Sequence, residues 1–128
     1  IALSAEEAGA DALSLVNTFL GLAVNLETRA PVFRNVFAGL SGPAIKPLAL
    51  KLVHEVARQV HIPVIGIGGI AGGRDVLEFI LAGSAAVQTG TINMIEPGAS
   101  VRILREIEDL MSELKIKNLH EIKGELKI

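Results

Sequence analysis

Twice in this chain the same succession of residue types recurs, as EEAGADALSLVNT at residues 6–18 and FILAGSAAVQTGT at residues 79–91. Each runs from a helix end through Ala-Gly and further small residues into a short apolar strand with a polar tip. Between them, PVIGIGGI at 63–70 holds a uniformly apolar strand, Val64 to Ile67, of the kind buried on both faces of a parallel sheet. Three buried strands, each followed by a helix, leave little choice of architecture. They predict a parallel α/β fold with right-handed crossovers.

The remaining segments fit that frame. Ser4 to Ala8 reads as helix, with Gly9 placed as its C-terminal cap, and Asn17-Thr18 close the first strand. The stretch from Phe19 to Gly42 is too long for an ordinary connection. Its alternation predicts an inserted hairpin, one arm of which Pro31 demotes to an edge. Helix resumes over 42–60, where Pro43 suits a first turn and Leu48, Leu52, Val53, Val56 and Val60 recur at helical spacing. A helix over Asp75 to Leu81 ends at Gly83, a further strand finishes at Gly90-Thr91, and Pro97 to Leu114 forms a last amphipathic helix. Residues 1–116 are thus expected to form the packed βα units, and 117–128 a charged surface tail with a short helical turn at most.

With 128 residues, half of them apolar, the chain can bury a core. A net charge of −2 and an aromatic content of 3% offer neither a basic face nor stacking platforms, which argues against nucleic acid. No cysteine is present, so there is no disulfide framework, thiolate nucleophile or thiolate metal site. No apolar run is long enough to span a membrane, and a cytoplasmic setting is expected.

The tips carry the functional signal. Gly66, Gly68 and Ala71 fit the G-x-G-x-x-G/A spacing of a dinucleotide site, but such a site expects an acid at the tip of the next strand, and AAVQTG has none. In a parallel sheet all strand carboxyl ends open on one side, so Asn17-Thr18, Gly68-Gly69 and Gly90-Thr91 should share a rim. Two successive glycine tips match the phosphate site of a (β/α)8 barrel, built after its last two strands. Tight turns alone also use glycines, and Asn17 could brace a loop instead of binding a ligand.

GADALSLVNT, GLSGPAIKPLAL, PVIGIGGI, DVLEFILAG and AAVQTGT occur here in the order and spacing of the dihydroorotate dehydrogenase family, which the chain resembles nearly end to end. The segment between VNT and GLSGP, with ETRAP inside it, is most similar to that of the class 1B catalytic subunit. The resemblance implies the C-terminal part of an FMN-dependent (β/α)8 TIM barrel that oxidises dihydroorotate to orotate in pyrimidine biosynthesis. It also implies a partner electron-transfer subunit carrying FAD and an iron-sulfur cluster, through which NAD is reduced, and a homo-oligomer of the catalytic subunit. Matched by position, Asn17 and Thr18 would bind the substrate, while Val16, Gly42, Gly68, Gly69, Gly90 and Thr91 would contact FMN. Ala12 stands where relatives usually carry Gly, and Gln88 and Thr89 replace residues that are often smaller or apolar. The family's catalytic base, a cysteine in class 1 enzymes, lies on an upstream loop. The chain is therefore expected to be a fragment without that base, inactive alone.

Other candidates read more plainly. His54, His61 and His120 lack any ligand or triad spacing and are expected at the surface. Lys46 could approach an anion or simply be solvated at a helix start. Asp75, Glu78, Glu106, Glu108 and Asp109 are expected to be solvated helix charges. Two other functions compete: a flavin barrel acting on another dihydropyrimidine, and a non-catalytic flavin- or phosphate-binding fragment.

Overall fold

A computed structural model describes residues 1–127. In chain order it comprises α1 (Ala2–Glu7), β1 (Leu13–Leu15), β2 (Phe19–Leu22), β3 (Val24–Asn25), β4 (Ala30–Pro31) and β5 (Phe37–Leu40). A 3-10 turn (Pro43–Ile45) then leads into α2 (Lys46–Ala57), β6 (Val64–Ile67), α3 (Gly73–Leu81), β7 (Ala86–Gln88), α4 (Thr91–Ile95), α5 (Ala99–Glu113) and a last 3-10 turn (Leu119–Glu121).

The three repeated strands form one parallel sheet in the order β1-β6-β7. Its register aligns Ser14 with Ile65 and Ala86, and Gly66 with Leu15 and Val87. Because successive side chains alternate faces, this register sorts the sheet into two surfaces. Leu13, Leu15, Val64 and Val87 pack toward the helices. Ser14, Ile65, Ile67, Ala86 and Gln88 lie on the opposite face, where Ser14 Oγ donates to Gln88 Oε1 at 2.9 Å. That second face is only partly covered, so Ser14, Ala86 and Gln88 are exposed, whereas the sequence predicts strands buried on both sides.

The core sits between the sheet and α2, α3 and α5. Ala49 and Val53 of α2, Val76, Phe79 and Ile80 of α3, and Ala99 and Ile103 of α5 are buried together. Phe79 is fully buried. Its ring lies directly on Gly66, where a Cβ would collide with it and would stand 2.6 Å from Ser84 Oγ. The first glycine of the fingerprint-like spacing is therefore a packing glycine, which removes it from any dinucleotide reading.

The inserted segment is a hairpin as predicted, with β2 and β5 antiparallel and a smaller β3-β4 pair, containing Pro31, beyond them. The final strand ends earlier than expected, at Gln88, and Thr91 instead opens α4. Residues 117–127 are held down at several points. Leu119 and Ile122 pack against the core, and Gly124 N donates to Ile80 O at 3.1 Å.

Candidate functional site

The carboxyl ends of β1, β6 and β7 open into a cavity of about 270 Å³. All eight residues singled out from the sequence line it: Val16, Asn17 and Thr18 after β1, Gly42 before α2, Gly68 and Gly69 after β6, and Gly90 and Thr91 after β7. Its other walls are Ser41, Ile45, Ile67, Ile70, Gln88 and Met94. None of these residues carries a titratable side chain, so the cavity is neutral, with a largely apolar lining that also includes the polar side chains of Asn17, Thr18, Ser41, Gln88 and Thr91.

The glycines of the floor are dictated by contact. Gly68 has φ 134°, and a Cβ there would stand 2.9 Å from Ala49 Cβ and 3.1 Å from Val16 Cγ2. Gly69 has φ 79°, and a Cβ would stand 2.8 Å from Lys46 N and 2.9 Å from Gly42 O. Positive φ and lack of room each exclude an ordinary side chain. The turn after β6 consequently lies main chain to main chain on the turn that starts α2.

Several backbone amides of the lining residues have no protein partner. Among the described residues, the N–H groups of Gly68, Gly69, Ile70, Gly90 and Thr91 donate to no protein acceptor. Such concave sets of amides are receptors for an anionic oxygen group. Thr91 Oγ1 donates to Ser41 Oγ at 2.8 Å, tying the turn after β7 to the one before α2. At the β1 end, Asn17 Oδ1 accepts from Thr18 N at 2.7 Å, leaving the Asn17 amide nitrogen free to donate.

Sequence reasoning missed the scaffold behind the rim. Asn93 of α4 donates to Thr89 O at 3.0 Å and accepts from Ser100 Oγ at 3.0 Å, fastening α4 to α5. The signal was available in TINMIEPG, a short apolar run closed by Pro-Gly.

The charges also need correction. Lys46 is absent from the cavity lining; its Nζ bonds Asp75 Oδ1 at 2.6 Å and Glu78 Oε2 at 2.7 Å. Asp75, Glu78 and Glu106, expected as solvated charges, are all paired, because α2, α3 and α5 bring them onto one another. Arg102 bonds Glu96 at 2.8 Å and Glu106 at 2.5 Å. Burial alone pushes the Asp75 carboxyl up, but the Lys46 hydrogen bond, the Ala71 and Gly72 amides and the Lys46 charge together hold it below its ordinary value. The Gly73 amide, and then Arg102, lower Glu106. Hydrogen bonds to Asp75 and Glu78 raise Lys46. Glu108 and Asp109 are exposed. His61 and His120 are exposed and His54 is half-buried; the described residues hold no cluster of three metal-ligating side chains.

A larger cleft of about 370 Å³ lies between Ile80, Met111 and Leu119, at the amino end of β7. Barrel chemistry gathers at strand carboxyl ends, and the amino ends serve stability. The glycine-floored cavity is accordingly the functional candidate.

A model of the dihydroorotate dehydrogenase family matches residues 1–111. The chain belongs to the dihydroorotate dehydrogenase family. It is 52% identical over 127 residues to the dihydroorotate dehydrogenase B (NAD(+)) catalytic subunit of Thermoanaerobacter sp. strain X514, covering 99% of this chain and 42% of that protein. Over 128 residues it is 52% identical to the subunit of the same name from Citrifermentans bemidjiense, again across 42% of the relative. Among solved structures it superposes on the dihydroorotate dehydrogenase of Eimeria tenella, crystallised with ferulenol, with a TM-score of 0.79 and 27% identity, covering 98% of this chain and 33% of that one. The chain thus spans less than half the length of the relatives it matches. Its three-stranded sheet is the C-terminal part of a (β/α)8 barrel, and the half-open face with Ser14, Ile65, Ile67, Ala86 and Gln88 is the face such a barrel turns inward.

Proposed function

We propose that this chain provides the flavin-phosphate rim and one edge of the substrate site of an FMN-dependent dihydroorotate dehydrogenase. The observation that carries the proposal is the neutral cavity at the strand carboxyl ends, which gathers unpartnered amides on a glycine floor. The residues fit the cofactor: unpartnered main-chain amides for a phosphate and apolar walls for a flat ring. Gly68, Gly69, Gly90 and Thr91 would hold FMN through the main chain, with Val16 and Gly42 against it. Bound there, FMN supplies the hydride acceptor for oxidation of dihydroorotate to orotate.

The part played by these residues is binding and orientation. Asn17, with its Nδ2 donor free, and Thr18 would hydrogen-bond the edge of the anionic pyrimidine without adding a charge. No titratable group lines the cavity, and the proposal assigns the substrate's proton to a base outside this cavity, as the class 1 likeness implies. The class 1B likeness extends the proposal to a partner subunit with FAD and an iron-sulfur cluster, to NAD as final acceptor, to a homo-oligomer and to the cytoplasm.

The test is turnover by the complete enzyme that contains these residues, with dihydroorotate and dihydrouracil compared and FMN identified after release. Preference for dihydroorotate is expected; equal rates would move the assignment to a broader dihydropyrimidine flavoenzyme. The neutral lining favours a second reading for residues 1–128 taken alone, a flavin-binding module without turnover. Dihydroorotate oxidation by the isolated chain would contradict it.

A further inference from the structure

The start of α3 resembles an anion site, yet its amides are already taken. Asp75 Oδ2 accepts from Ala71 N at 2.8 Å and from Gly72 N at 3.0 Å, and Glu106 Oε2 accepts from Gly73 N at 2.7 Å. Arg102 Nη2 pins the same turn from its carbonyl side, donating to Ala71 O at 3.2 Å. The other oxygen of Asp75 holds Lys46 Nζ at 2.6 Å, and it is against the Lys46 backbone that Gly69 rests. One carboxylate therefore joins the turn after β6 to the turn that begins α2.

We propose that Asp75 is a positioning residue for the phosphate: it withdraws the amides of residues 71 and 72 from the ligand and locks the Gly68-Gly69-Ile70 turn in its receptive form. The inference rests on the flavin-phosphate reading above and states how that rim is held. Asp75 is not part of the cavity lining and acts through the main chain of its neighbours. Consecutive glycines are costly to order, and a turn ordered before the ligand arrives spares the binding step that cost. Without the carboxylate, the amides at 71 and 72 lose their acceptor and Lys46 loses its tie to the turn. The phosphate would then meet a mobile set of donors, while the apolar walls around the flavin ring stay as they were.

The experiment compares FMN with riboflavin, which lacks the phosphate, by fluorescence titration of the flavin-free complete enzyme. Asp75→Ala is expected to lower FMN affinity by about tenfold or more, one charged hydrogen bond's worth, with riboflavin affinity held within about twofold. Asp75→Asn keeps an acceptor for the amides but loses the Lys46 ion pair, and should fall between. An unchanged ratio of FMN to riboflavin affinity in Asp75→Ala, or an equal loss of both flavins, overturns the positioning role. Should Asp75→Ala fail to fold, the ratio measured in Asp75→Asn decides in the same way. Wild-type enzyme that binds neither flavin refutes the flavin reading itself, and the positioning role falls with it. Wild-type enzyme that binds both equally leaves the flavin reading standing and refutes the role given to the phosphate and to Asp75.

Discussion

Gly69 and Lys46 touch main chain to main chain: a Cβ on Gly69 would lie 2.8 Å from the Lys46 backbone nitrogen, at a φ of 79°. The floor of the cavity is thus part of the packing between β6 and α2. Gly69→Ala must displace the start of α2 and also adopt a left-handed backbone, so a loss of about 2 kcal/mol or more is expected, together with loss of FMN. Gly90, where a Cβ meets nothing within 4 Å, should separate the two effects. Gly90→Ala is expected to cost less stability than Gly69→Ala while still weakening FMN, as urea midpoints and flavin titration would reveal.

Beneath the floor, Phe79 covers Gly66 beside a fully buried Ser84 whose Oγ has no hydrogen-bond partner. Phe79→Ala leaves a cavity and is expected to cost about 3–5 kcal/mol. Ser84→Ala removes an unsatisfied hydroxyl and should be neutral or stabilising by up to about 1 kcal/mol. Denaturant midpoints of the two variants check both signs, and a destabilised Ser84→Ala would mean that the hydroxyl has a partner.

The Asp75 cluster makes stability depend on acid. A carboxyl whose folded pKa is depressed contributes above its unfolded value, ordinarily 3.8 for Asp75, and loses that contribution as pH falls through the folded value. Glu106, ordinarily at 4.5, has the same sign. Lys46, raised above 10.5, has the opposite one, its contribution being lost as pH rises through the folded value. Asp75→Asn should therefore be less stable than wild type at neutral pH, and the gap should narrow as pH drops below 3.8. Unfolding by urea across a pH series measures this; a constant gap would show that the carboxylate charge is not what matters.

The strands and their tips were legible because they depend on neighbours in sequence. VIGI is uniformly apolar, and the polar or glycine tips stand directly after the strands, so the sequence alone places Asn17, Gly68 and Gly90 on one rim. The pairing of Lys46 with Asp75 spans 29 positions and depends on how α2 and α3 lie together, which no local pattern encodes. The packing role of Gly66 escaped for the same reason, since Phe79 approaches it from another element. Leu119 and Ile122 lie among tail charges that masked two core contacts.

Within the described residues, β1 and β7 each pair along one edge only. Open parallel edges beside a half-bare face tend to recruit further strands. Residues 1–128 expressed alone are expected to associate with increasing concentration, and sedimentation velocity over a dilution series would show it. A monomer at all concentrations would mean that the hairpin or the tail shields those edges.

Asn17 and Thr18 lie at the same strand end but are held differently, and this predicts different consequences. Asn17 already accepts from Thr18 N through Oδ1, so its free donor is Nδ2. Thr18 lies against Gly39 of β5, where a Cβ would collide with its hydroxyl. Asn17→Ala therefore removes a loop brace and, on the proposed reading, a donor to the substrate edge, and should lower kcat/KM for dihydroorotate by about tenfold or more. Thr18→Val keeps the shape against β5 and removes only the hydroxyl, so its effect should fall on KM with folding unchanged. Both variants should retain FMN, because neither side chain belongs to the glycine floor. Loss of FMN from Asn17→Ala would transfer that residue from the substrate edge to the flavin rim; unchanged kinetics in both would remove the β1 tip from the substrate site.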